Sequence, residues 1–523
     1  METHRLVSHC GCNIQPFDAP FSSFEYVERH FAGCLTIHRC FSLARSFSAK
    51  SVVIENILPV GLIAEENGEL ESFGVDPDVG LLKRLSFWNS PVPTEQAIDD
   101  LQDSNLIGYS ILKCDRIPSG ATTEDQWHVF EAVFRKYEHP HNCVLGAVGY
   151  RVRVGRKIFV IKGILYAQQN GLNKACAHVA LRSLLSRLVS ERDVSYAMMN
   201  RIARGSAGAT FEPGQGLRAL QIRAILDHYG INYRDVDYSE AEKADPSVRK
   251  TQPYQKYLYA GIESGCGGLL GFSMDGPKAT GGRHIIPFYG HTFNKDTWVP
   301  DAQVVYFDIG GGVGYIPSES WTSSFLGHDD NVGPNFCIPR LYVKPKRVEY
   351  VVEILKPAVA YNGVVAEACA LFFLYSISEK MDLRNPWQNR LAAYSRPDVQ
   401  RVVLRALCVT PEQYLNHLKE IRDWDSQKEN GKLVAALKTL LPKMLWVVEV
   451  SIPQLFPANE RKLGEIVLDA TRQSKSSESV DFSLFVFVRL PGQYVVMSGM
   501  SGRTPTFITA PSGLKSHVEL MKH

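Results

Sequence analysis

Between residues 161 and 345 the chain changes rhythm, and that rhythm limits what it can fold into. A strand-like run over 161–166 leads through a polar loop into an amphipathic stretch over 173–190. There Ala177, Ala180, Leu181, Leu184, Leu185 and Leu188 recur at three and four, the period of a helix buried on one face. Residues 216–229 predict a second helix, with Gly230 just past its end. Residues 253–263 predict a third, stopping before Gly265. Short strands are then expected over 268–272, 284–289 and 303–309.

The flanks read differently. Residues 1–160 form a strand-rich mixed region, with strands expected over 51–65 and 144–160 and a turn at Asn67-Gly68. Residues 346–523 predict helices over 351–378, 397–407 and 411–424. Strands follow from 446, with 482–489 and 493–498 paired as a hairpin. The most apolar stretch, 364–377, is short and carries Glu367, so it predicts a buried helix and no span. At about 100–200 residues per domain, 523 residues suggest three units, here 1–160, 161–345 and 346–523.

Charge and cysteine content narrow the function class. Fifty-seven basic against 55 acidic residues leave a net charge of +2, so no global field favours nucleic acid or an anionic membrane. Eleven scattered cysteines, an odd count, do not make a disulfide framework and predict free thiols in a reducing compartment. The first residues, METHRLVSHCGCNIQPF, contain no apolar core of signal-peptide length. A cytoplasmic protein is expected, without nucleic-acid or membrane partners.

The chemistry concentrates in the central segment. Gln168-Gln169-Asn170 opens a polar loop, Asn173 is a good helix cap, and Cys176 follows in the first turn. A thiol there feels the positive end of the helix dipole, which favours the nucleophilic thiolate. Gln168 or Gln169 lies just upstream, where a side-chain amide can donate to an oxyanion. A base is needed. His284 opens a strand after Gly281-Gly282, with His291 as its competitor. Asp301, or else Asp296, is placed to orient the imidazole.

The order of Gln loop, Cys-Ala-His helix start, helix ending in Tyr229-Gly230-Ile231, and strand His284-Ile285-Ile286-Pro287-Phe288-Tyr289-Gly290 resembles the papain-like cysteine peptidases, closest to the bacterial double-glycine type. The resemblance covers about a third of the chain. It implies an α+β fold whose central domain packs helices on an antiparallel sheet, and a protein or peptide substrate. It also implies Cys176 as nucleophile, His284 as base, Asp301 as orienting acid and Gln169 (or Gln168) at the oxyanion. No cofactor or metal is implied. Ala177-His178 after the cysteine, and the long gap from glutamine to cysteine, depart from the family pattern.

Other features read as structural. His178 falls about 200° round the helix from Cys176 and is expected to pack away from the thiol. Cys266, in a turn before a strand, has no activating helix start. The glycine run 310–314 reads as a turn, since no helix and no Gly-Lys-Ser/Thr follow. His328-Asp329-Asp330-Asn331 reads as a solvated loop, with a metal site or a cap on the active-site cleft as the alternatives. Cys10, Cys12, Cys34, His38 and Cys40, and likewise His139, His141 and Cys143, lack paired zinc-ligand spacing.

Overall fold

The computed structural model describes residues 11–72, 81–119, 122–136, 142–144, 146–170, 176–189, 194–206, 216–274, 282–294, 315–380, 402–420, 438–439, 441–453, 456, 461–473, 482–490, 493–497, 505–509 and 517–518. The fold is mixed α+β, built on three seven-stranded sheets whose pairings are antiparallel except for one.

The first sheet runs in the order Asn13–Pro16, Ser51–Asn56, Leu82–Trp88, Leu106–Ser119, Thr122–Arg135, Lys157–Tyr166, Val148–Val154. Helices Ser23–Phe31 and Leu35–Ser46 cover one face through Phe31, Phe41, Phe87 and Phe134. Trp88, Tyr109 and Phe159 fill the other. The expected turn at Asn67-Gly68 is instead inside helix Leu62–Ser72. The local Asn-Gly preference loses to burial: Ile63, Glu66, Asn67 and Leu70 all pack inward.

The central sheet runs Gly333–Pro339, Thr322–Asp329, Arg283–Phe293, Gly268–Ser273, Val348–Leu355, Asn232–Asp237. A short strand, Asn142–Val144, also pairs with Arg283–Phe293. Leu269, Ile285 and Val352 face helices Cys176–Leu185, Tyr196–Gly205 and Ala219–His228. Their sequence neighbours Leu270, Ile286 and Val351 face helix Tyr254–Glu263. Alternate residues are thus buried on opposite faces, which is why these strands read as continuous apolar runs.

The third sheet runs Tyr315–Pro317, Val402–Val409, Leu445–Ser451, Gly464–Asp469, Phe485–Leu490, Gln493–Met497, Pro505–Thr509. Its first pair is the parallel one. Helix Gly363–Lys380 packs on one face and helix Pro411–Glu420 on the other. The hairpin expected over 482–498 is present as Phe485–Leu490 against Gln493–Met497.

One expected helix is a strand, and another starts later than expected. Residues 402–407 lie in a strand, with Leu404 and Ala406 on one face and Leu407 on the other. Residues 351–355 belong to strand Val348–Leu355, and the helix begins only at Gly363. Pro357 stops any helix there, and Asn362 caps the true start by accepting from the Val365 N–H at 3.2 Å. Strand Val348–Leu355 sits inside the central sheet, so that sheet runs ten residues past the expected boundary at 345. Glu367 is buried and pairs with Lys256. No helix among the described residues is long and apolar enough to cross a membrane. The expected strand over 303–309, the glycine run 310–314 and the cap at Asn173 lie outside the described residues.

Candidate active site

Cys176 is the first residue of helix Cys176–Leu185 and is half-buried. Ala177, Ala180, Leu181 and Leu184 press that helix onto the sheet beside Ile285. His284, the second residue of its strand, lies opposite Phe272 and meets that ring edge-on at 5.7 Å. The Cys176 thiol lies near enough to His284 to help raise the pKa of the imidazole. The sequence-expected nucleophile and base therefore meet across the junction of one helix and one strand.

The carboxylates at the histidine are not those expected. Asp301 and its alternative Asp296 lie outside the described residues. His284 Nε2 instead lies 3.3 Å from Asp329 Oδ1 and 3.4 Å from Asp330 Oδ1, with Asn331 Nδ2 at 3.5 Å. These residues follow the end of strand Thr322–Asp329, next to the histidine strand in the sheet. The Asn331 backbone N–H donates to Asp329 Oδ1 at 2.9 Å and fixes the carboxylate at the turn. Of the run read as a solvated loop, His328 and Asp330 are buried, at 3% and 4% exposed, Asp329 is half-buried and Asn331 is exposed. Pairing of its strand with the histidine strand is the missing information, and no local signal carries it.

The electrostatics follow from this crowding. Burial opposes the charged form of His284, but hydrogen bonds to Asp329 and Cys176, with the two carboxylate charges, push its pKa up to about 10. Asp329 is held below its ordinary range despite burial, because His284 bonds to it. Burial pushes Asp330 up to about 6, against the pull of His284. The centre thus favours the imidazolium, with one carboxylate bound to the ring.

The remaining expected residues divide. Gln168 is tied to the first sheet: its Oε1 accepts from Thr36 Oγ1 at 2.6 Å and from the Val129 N–H at 2.8 Å. Gln169 is half-buried, and its Oε1 has no hydrogen-bond partner. Asn170 donates to Glu66 at 2.8 Å, so the loop before the cysteine is moored to helix Leu62–Ser72. His291 is fully buried against Glu263, which also holds Arg405. His178 packs as expected, 2.8 Å from Asn200 Oδ1, and burial pushes it down to about 4. Burial raises the Cys266 thiol. Cys12, Cys34 and Cys40 are free thiols. Cys10, His139 and His141 lie outside the described residues.

Among the described residues, the grouping with the donors for a metal ion is His284, Asp329 and Asp330, whose ligand atoms lie within 4.8 Å of one another. Compared with protein-family models, curated proteins and solved structures, the chain finds no match in any of the three.

Proposed function

We propose that this chain is a thiol peptidase of papain-like architecture, cleaving a peptide or isopeptide bond through an acyl-enzyme on Cys176. The observation that carries the reading is the meeting of the Cys176 thiol, at a helix start, with His284, whose Nε2 faces Asp329 at 3.3 Å. With Nε2 turned to the carboxylates, Nδ1 is the nitrogen left to serve the sulfur.

In this mechanism the Cys176 thiol proton passes to His284, the thiolate Sγ attacks the scissile carbonyl carbon and a tetrahedral oxyanion forms. The backbone N–H of Cys176 and the amide nitrogen of Gln169 or Gln168 stabilise that charge. Gln168, with its oxygen held by Thr36 and Val129, keeps its nitrogen as donor. The C–N bond breaks as the imidazolium of His284 gives its proton to the leaving amine. His284, now neutral, takes a proton from water. The hydroxide attacks the thioester, the C–S bond breaks, and an acid and the thiol centre are released. Asp329 fixes the ring orientation and the tautomer throughout.

The test is cleavage of peptides with small residues at the scissile bond, with products identified by mass spectrometry. Hydrolysis that disappears in Cys176→Ala, and falls about 10²–10⁴-fold in His284→Ala, is the expected result. Cleavage that persists in Cys176→Ala rules the reading out.

A further inference from the structure

The face of His284 turned away from the thiol holds a second arrangement. Two carboxylate oxygens stand 3.3 and 3.4 Å from Nε2. Ligands at roughly 2.0–2.1 Å from a tetrahedral metal ion are about 3.4 Å apart, so these separations are those of two edges of such a site. The third edge, between the carboxylates, lies within 4.8 Å.

A second observation points to a ligand. Both oxygens of Asp330 are buried and accept no hydrogen bond, and its ion-pair partner among the described residues is the ring it shares with Asp329. Two buried carboxylates against one imidazolium leave a surplus negative charge. A divalent ion in place of the Nε2 proton balances both. Asp329 is already oriented by the Asn331 N–H, the kind of outer support that metal ligands receive. One imidazole with two carboxylates suits zinc and its transition-metal neighbours better than magnesium or calcium, which favour all-oxygen shells.

We propose that His284, Asp329 and Asp330 bind one divalent transition-metal ion of the zinc class, and that the bound ion switches the thiol centre off. On binding, the Nε2 proton leaves to solvent and the Nε2 lone pair forms the metal bond. The ring then remains a neutral, metal-bound imidazole, so the imidazolium that stabilises the thiolate and gives its proton to the leaving amine no longer forms. The binding stands without the peptidase reading; the switching rests on it.

Cobalt(II) titrated into the full-length protein is the probe. One equivalent is expected to give a visible d–d band without thiolate-to-cobalt charge transfer, because no sulfur is a ligand. The band should persist in Cys176→Ala. Affinity should fall about tenfold or more in Asp330→Asn and in Asp329→Asn, each checked for native circular dichroism. Labelling of Cys176 by iodoacetamide should slow when cobalt is bound. No band, or wild-type affinity retained in both Asn variants, overturns the site. Binding that leaves Cys176 labelling unchanged overturns the switch. A protein that binds cobalt as described but cleaves no peptide loses the peptidase reading and keeps the site.

Discussion

His284 is buried, yet its pKa is pushed up to about 10, because its neighbours favour the charged ring more than burial opposes it. The hydrogen bond His284 donates to Asp329 leads that effect, followed by the nearby Cys176 thiol. Asp329→Asn keeps the shape and removes the charge. The imidazole midpoint should fall from about 10 toward the ordinary range, read from its proton resonance across a pH series. An unmoved midpoint contradicts the assignment of Asp329 as the orienting acid. At this scale the sequence was readable for Cys176 and His284, since a helix start and a strand mouth are local patterns. It was not readable for Asp329, whose role depends on strand Thr322–Asp329 lying next to Arg283–Phe293. The expected acid was placed on a different stretch for the same reason: pairing partners are a long-range property.

At the scale of elements, the strands mistaken for helices share a cause. Val348–Leu355 and Val402–Val409 are buried on both faces, so the period-two signal vanishes into an apolar run. Helix Ala219–His228, by contrast, was legible because one side meets solvent, and Cys176–Leu185 through its three-and-four apolar spacing, although it is buried all round. Strand Val348–Leu355 also carries a titration. Glu353 is fully buried, and burial raises its pKa to about 8 from 4.5. A raised carboxyl contributes stability that is complete below 4.5 and is lost as pH rises through about 8. Glu353→Gln keeps a neutral side chain at every pH. Its stability relative to wild type should therefore climb by about 1.4 kcal/mol per pH unit at most across that window and level off above it. Urea midpoints at a series of pH values measure this, and a pH-independent difference contradicts it.

At the scale of the molecule, the three sheets are tied together by buried polar groups. Arg39 of the first unit donates to the carbonyls of Pro334 and Asn335 in the central one. A chain of buried ions joins the central sheet to the third: His291 to Glu263, Glu263 to Arg405, Arg405 to Glu449, Glu449 to Lys462, Lys462 to Glu465. Removing one member strands the others as uncompensated charges. Arg405→Ala is expected to cost about 3–5 kcal/mol, read as a lowered denaturation midpoint. A loss below about 1 kcal/mol would mean that the chain does not bind the units together. None of this network was visible in the sequence, where its members are spread over a helix and several strands. The loop before Cys176 gains the same kind of support, since Thr36 and Glu66 moor Gln168 and Asn170 from the first unit. The flanking units thus help to hold the centre that the resemblance assigned to the middle third alone.

The central claim is that one thiol in eleven is activated by one histidine. Native protein treated with a small thiol electrophile at about pH 6, and mapped by mass spectrometry, tests it directly. Buried thiols such as Cys40 and Cys408, with pKa values raised to about 12, set the slow background. Cys176 should label far ahead of the other cysteines, and His284→Ala should bring its rate down toward theirs. Labelling of Cys176 no faster than its neighbours, or untouched by the loss of His284, would contradict the account.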